Sequence, residues 1–336
     1  MTALRLLAAP DKFRGTASAH QIAAAVAAAG AAVSAECDSA PMADGGEGTL
    51  EALGGANRRS AVTGPAGDPV TAPWRLSRGV AVVEMALASG LALAGGAARN
   101  DPVNATTAGT GELIAAAVAA GARRVLVAVG GSATTDGGLG ALEALPSPAR
   151  MTGVEMVVAC DVRTEFLDAA TVFGPQKGAT PPQVELLTRR LKRLAQIYER
   201  DFGVDVTELS GAGAAGGLAG GLAARGAALL DGFTVVADET GLPERIEDAD
   251  VVVTGEGRYD ATSAQGKVVG GVAALAAAAG VRAVAVVGSA DPGAVAAAPE
   301  GLEIIDLTAR FGPSRAMDDP CGCVTEAVES LLRLQR

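Results

Sequence analysis

Residues 4–29, LRLLAAPDKFRGTASAHQIAAAVAAA, decide the fold. The apolar run over residues 4–9 has the length of a buried strand, and Pro10 stops it because proline cannot donate to a ladder. The charged turn DKFRGT follows, and Ser18 then opens an alanine-rich helical stretch over 18–29 with the side chain that a helix N-terminus needs. This β-then-α step recurs. A second strand near 33–40 leads into PMADGGEGT and a helix from about Glu47. Towards the C-terminus come a strand over 249–254, a helix over 267–279, strands over 283–287 and 302–307, and a last helix over 322–334. Both ends of the chain therefore predict one doubly wound parallel α/β sheet.

With 336 residues the chain exceeds what a single core usually supports, so two domains are expected. From about Arg59 to Thr234 there are strands over 80–85, 125–129 and 154–159, and helices around 107–120, 182–201 and 213–224. This middle reads as a second α/β domain, residues 61–234, inserted into a discontinuous domain of residues 1–60 and 235–336. If the five terminal strands take the flavodoxin-like order 2-1-3-4-5, strands one and three flank the topological switch point, where ligands bind beyond the carboxyl ends. APDKFRGT then lies beside TGEGRYD, and the insert is expected to close over the same crevice.

Composition excludes several classes of function. There are 27 Lys and Arg against 38 Asp and Glu, a net charge of −11 without a basic patch, so nucleic acid is not an expected partner. The N-terminus lacks a signal-peptide h-region, and stretches such as 268–281 are too short and too rich in Ala and Gly for a membrane span. A soluble, cytoplasmic protein is expected. Four cysteines without a CxxC pair read as reduced thiols. The one histidine, His20, falls in the first helix, so neither a Ser-His-Asp triad nor a His-rich zinc site is available. Any general base must be a carboxylate or a lysine.

Five glycine-rich charged motifs remain. Glycine lets a backbone approach a ligand closely, and several such motifs at strand ends suggest one polyanion-plus-metal site. APDKFRGT offers Asp11, Lys12 and Arg14 where the first strand stops, a pair of cations suited to phosphate or carboxylate; taken alone it reads equally as a solvated turn, and the switch-point position favours the site. PMADGGEGT places Asp44 and Glu47 at the opening of a helix, where N–H groups attract anions, although capping is the commoner use of such acids. GGSATTDGGLG follows a strand with Gly130, Gly131, Ser132, Thr134 and Thr135, in the manner of a phosphate cradle but without Walker A spacing. TGEGRYDATSAQGK brings Glu256, Arg258 and Asp260 to the end of a strand at 251–253, with Lys267 opening the next helix. Asp161 closes the strand over 154–160, and FGPQKGAT sets Gln176 and Lys177, a candidate anion contact, between Gly174 and Gly178. GAGAAGGLAGGL, residues 211–222, is too glycine-rich for an independent helix, at about 1 kcal/mol per Gly relative to Ala, and close packing is expected to compensate. An aromatic content of 3% leaves aliphatic side chains to face any adenine.

In order, APDKFRGT, PMADGGEGT, GTGEL, GGSATTDGGLG, ACDV, FGPQKGA, GAGAAGG and TGEGRYDATSAQGK resemble the type I glycerate kinase family over nearly the whole chain. The resemblance implies an ATP-dependent kinase for D-glycerate, using Mg²⁺, built as a flavodoxin-like domain interrupted by a second α/β domain. Two departures stand out: only residues 146–158 join the GGSATTDGGLGALEAL and ACDV segments where relatives carry a longer stretch, and residues 161–173 lack the usual Asn-Pro-Leu and Gly-Ala. Phosphoryl transfer needs positioning and charge neutralisation more than covalent chemistry, which suits lysines, glycine loops and carboxylates without histidine. Lys12 and Lys267 are expected on the phosphates, with the backbone of Gly130, Gly131 and Ser132 as a nest; Glu256 or Asp260 on Mg²⁺; Asp161 as base with Asp44 as competitor; and Arg14, Gln176 and Lys177 on the substrate. The 2-phosphate is the favoured product, in organic-acid catabolism. A kinase for another small hydroxy acid and a non-catalytic binding relative are the alternatives.

Overall fold

The computed structural model describes residues 3–263 and 267–334. Among these the strands in chain order are β1 (Arg5–Ala8), β2 (Glu36–Ser39), β3 (Arg58–Thr63), β4 (Pro69–Ser77), β5 (Val80–Glu84), β6 (Arg124–Ala128), β7 (Glu155–Cys160), β8 (Ala228–Asp231), β9 (Val251–Tyr259), β10 (Arg282–Ala290) and β11 (Leu302–Asp306). The chain divides into two compact units, one of Met1–Asp44, Glu51–Leu53 and Phe233–Arg336, the other of Gly45–Leu50 and Gly54–Gly232.

The first unit carries a five-stranded sheet in the order β2-β1-β9-β10-β11, parallel throughout. Counted within the unit this is 2-1-3-4-5, the flavodoxin-like order expected. Alternate side chains of the central strands feed two cores, as the period of two requires. Leu6, Ala8, Val251 and Val253 meet Ile22, Val26, Val324 and Val328 on one face, while Leu7 and Val252 meet Phe233, Val236, Val268 and Val272 on the other. Helices thus cover both faces, which keeps the parallel backbone away from water. The Ala19–Ala32 helix begins where expected, because Ser18 and Gln21 form a capping box.

Two expectations are corrected here. β9 and β10 run on past the expected ends, pairing as far as Tyr259 and Ala290, so Glu256 and Arg258 stand on a strand and not in a loop. The helix after PMADGGEGT is one turn, Thr49–Ala52, too short for its dipole to make an anion site.

The second unit is a mixed sheet in the order β3-β4-β5-β6-β7-β8, with β5 to β8 parallel and β3, β4 and β5 antiparallel. The β3–β4 hairpin and β8 were not foreseen. Pro69 and Pro73 interrupt the strand signal of β4, and both lie in its half that pairs with β3, outside the Arg75–Ser77 stretch that pairs with β5, where a missing N–H is tolerated. The glycine-rich Ala214–Ala224 segment is not one regular helix, since Ala215, Gly216 and Gly217 take left-handed backbone. A Cβ on Gly216 would sit 2.0 Å from the Thr134 carbonyl oxygen, so this is the close packing that compensates for the glycines.

Candidate active site

In the first unit, a pocket of about 350 Å³ opens beyond the carboxyl ends of β1 and β9. The turn after β1 stays tied to the sheet, because the Asp11 N–H donates to the Gly255 carbonyl at 2.8 Å. Phe13 is buried and bridges to Ala17, which pins the turn and leaves its neighbours Lys12 and Arg14 on the pocket wall. Asp11, Asp44, Glu256, Arg258, Asp260 and Lys267 complete the charged lining. Of the residues expected at the site, the structure therefore brings Lys12, Arg14, Asp44, Glu256, Asp260 and Lys267 together.

The electrostatics of the pocket are those of carboxylates kept from water. Asp11 accepts from the Lys12 N–H at 2.7 Å and lies 3.6 Å from its ammonium. Burial nonetheless raises its carboxyl to about 6, against the pull of Lys12 and with help from Asp44. Burial likewise pushes Glu256 up to about 7, opposed by a hydrogen bond from Ser263 and by Lys267. Its Oε1 is buried without a hydrogen-bond partner. Asp260 is held low by the Thr262 hydroxyl and N–H, both on its Oδ1, while its own N–H donates to the Ser263 hydroxyl at 2.9 Å. Ser263, fully buried, thus links the Glu256 carboxylate to the backbone of Asp260. Residues 264–266 of this motif lie outside the described residues.

Among the described residues no three acidic, Cys or His side chains gather into a metal cage. Mg²⁺ does not require one, since it keeps waters and takes one or two carboxylates beside substrate phosphates. The orphaned Glu256 oxygen beside Asp260 fits such an ion.

The other expected residues belong to the second unit. Gly130 and Gly131 follow β6, and Cβ atoms there would strike Gly46 and Glu47, so the loop is packed on the GGEG turn. Ser132 is buried and bridges to Gly90. Asp161 is exposed just after β7, and Gln176 is exposed on the Pro175–Lys177 turn. Lys177 is 2% exposed, and its ammonium donates to the Thr134 carbonyl at 2.6 Å. Burial brings it down to about 7. Its charge faces into the unit and supports the 130–135 loop.

Two carboxylates were missed. Asp11 was noted only as part of a charged turn, and its burial is what marks it. Glu84 ends β5 and accepts the N–H groups of Gly48 and Leu50 at 3.1 Å each, so the start of the short helix after GGEG is held by a residue 34 to 36 positions away. A lone acid closing the apolar run VAVVE was the available signal.

A family model described as the glycerate kinase family matches residues 6–147 and 146–336. The chain belongs to the glycerate kinase family. It is 37% identical over 313 residues to the glycerate 2-kinase of Escherichia coli K12, covering 81% of this chain and 82% of that protein. It is 38% identical over 338 residues to a glycerate kinase of Halalkalibacterium halodurans, at 89% of each chain. A solved structure assigned as glycerate kinase 2 of Salmonella typhimurium LT2 superposes with a TM-score of 0.84 at 33% identity, over 99% of this chain and 100% of that one. Membership makes this glycerate kinase relative a phosphotransferase with an alcohol group as acceptor, and the family implies ATP as donor. No helix among the described residues is long and apolar enough to cross a membrane.

Proposed function

We propose that this protein transfers the γ-phosphoryl group of ATP to the 2-hydroxyl of D-glycerate, in the cytoplasm, as a step of organic-acid catabolism. The observation that carries this is the convergence of Lys12, Arg14 and Lys267 with Asp44, Glu256 and Asp260 on one switch-point pocket. The name of the Escherichia coli relative supports the 2-position.

Lys12 and Lys267 bind and orient the phosphates, offsetting the charge that develops as the terminal group moves. Glu256 and Asp260 would hold Mg²⁺, which when bound would supply neutralisation of the donor's phosphate charge. Arg14 and Gln176 orient the glycerate carboxylate and hydroxyls. The inserted unit supplies the backbone of Gly130, Gly131 and Ser132 as a nest for oxygen anions and Asp161 as the base that takes the hydroxyl proton, with Asp44 the competitor. Lys177 acts on this nest through the Thr134 carbonyl it holds. An ADP-release assay over a panel of small hydroxy acids, followed by proton NMR of the product, tests the proposal. D-glycerate and a 2-phosphate are expected; a higher kcat/KM with another acid, or a 3-phosphate, would replace substrate or position.

A further inference from the structure

The charged lining occupies only part of the pocket. Across the first unit's sheet, Asp44 follows β2, Asp11 and Lys12 follow β1, and Glu256 lies on β9. Beyond β9 the wall changes character. Over β10 and β11 it consists of Gly288, Ser289, Thr308, Ala316 and Met317, none of them ionisable. Arg258 stands at the border, and its guanidinium is already paired with Asp291 at 3.0 Å.

Gly257 and Gly288, on adjacent strands, present peptide where other residues would present side chains. A Cβ on Gly288 would lie 2.5 Å from the Gly257 carbonyl oxygen and one on Gly257 3.2 Å from the Arg14 nitrogen, so glycine lets β9, β10 and the turn after β1 close together here and leaves peptide without side chains in the pocket lining. The Thr308 hydroxyl donates to the Gly288 carbonyl at 2.6 Å, which ties the segment after β11 to this wall. Ala316 is buried, whereas Met317 is 62% exposed, among the most exposed large apolar side chains described. From β1 to β11 there are three strand spacings of about 4.8 Å, so about 14 Å separates the lysine end from the uncharged end. That span suits a nucleoside triphosphate laid across the strand ends with its phosphates over β1 and β9.

Resting on the phosphate site proposed above, we infer that the wall formed by Gly257, Gly288, Ser289, Thr308, Ala316 and Met317 holds the nucleobase and ribose of the donor. A flat ring lies on bare peptide without displacing a side chain, and a methionine thioether is well suited to cover its open face. Ser289 and Thr308 offer hydroxyls for ribose or base edges. With 3% aromatic residues, the chain has assembled this face from small residues and one methionine.

The test compares Mg-ATP with Mg-tripolyphosphate, which carries the phosphates and no nucleoside, by calorimetric titration of the wild type, Met317→Asp, Ala316→Phe and Lys12→Ala. Met317→Asp alters an exposed side chain, so it remains informative if the buried Ala316→Phe fails to fold. The expected result is a Kd for ATP raised about tenfold or more in the Met317 and Ala316 variants, with tripolyphosphate within about twofold, and both ligands weakened in Lys12→Ala. An unchanged ATP Kd in Met317→Asp and Ala316→Phe, with Lys12→Ala still weakening both ligands, overturns the nucleoside wall and leaves the phosphate site standing. If Lys12→Ala also leaves both ligands unchanged, the phosphate site itself is overturned. Equal losses for ATP and tripolyphosphate in Met317→Asp count against a nucleoside contact as well.

Discussion

Lys12 and Lys177 each stand in a short turn of a glycine-containing motif, yet their surroundings are opposite. Lys12 lines an open pocket, with its side chain 19% exposed and Asp11 3.6 Å away. Lys177 is buried on the Thr134 carbonyl, near the ring of Phe173. The acids divide in the same way. Asp11, Glu256 and Asp260 face the pocket of the first unit, whereas in the second unit Glu84 holds the backbone N–H groups of Gly48 and Leu50, and Asp136 those of Thr107, Gly138 and Gly140. A glycine-rich charged motif can thus serve a ligand or the architecture of a loop. Which it does depends on whether its charge meets a pocket or an orphaned backbone group.

The strongest way to break that contrast is Asp161→Asn, because the exposed Asp161 is the second unit's proposed chemical group. We expect kcat to fall by about 10²–10⁴ with the Kd for ATP nearly unchanged. A kcat near wild type would leave Asp161 a turn residue and move the base to Asp44. Next comes Lys12→Ala, for which kcat/KM should drop about 10² or more while the thermal midpoint stays put. Loss of Tm with unchanged kcat/KM would place Lys12 among the structural lysines, beside Lys177.

On the architectural side, Glu84→Ala strands the buried N–H of Leu50 and the part-buried N–H of Gly48 and should cost about 1–3 kcal/mol in urea unfolding. Lys177 gives the contrast a pH signature. Its folded-state pKa of about 7 lies below the ordinary 10.5, so between those values the unfolded chain holds a proton that the folded chain has released. Stability from this group therefore rises with pH, by at most about 1.4 kcal/mol per unit. Lys177→Met should flatten the rise between pH 7 and 9, and an identical slope in both proteins would contradict the buried ammonium. The smallest effect belongs to Arg258→Ala, whose pair with Asp291 is exposed and should contribute under about 1 kcal/mol. A larger loss, or a raised Kd for ATP, would show that Arg258 also serves the pocket.

Much of this was legible from one dimension. β1 and the capped helix after it follow from an apolar run of strand length and Ser18, both local signals, whereas the 2-1-3-4-5 order was an assumption that the family resemblance implied and the sheet bears out. The β3–β4 hairpin was not legible, because Pro69 and Pro73 erase the local signal while being harmless on a half-paired strand. Nor was the length of β9, where Gly255 and Gly257 read as a turn although β10 goes on pairing from Gly255 to Tyr259. At the pocket, Lys12, Arg14, Asp44, Glu256, Asp260 and Lys267 could be nominated from strand ends and glycines. The burial of Asp11, the bridging Ser263 and the distant Glu84 cap could not, since each depends on what another segment brings alongside.

The amino-acid sequence by itself determined the family, the doubly wound sheet and the set of charged residues from which a phosphoryl-transfer site is drawn. The family rests on the order of the glycine-rich motifs along the chain, and the strands and helices on side-chain periodicity, capping and turn chemistry, which act over a few residues. Only the tertiary structure decided which charges face a pocket and which are used on backbone groups, and it alone separated the charged part of the pocket from the bare wall over β10 and β11. The physical reason is desolvation. Whether a lysine or a carboxylate keeps its charge available depends on the atoms packed around it, and those atoms come from segments far away in the chain.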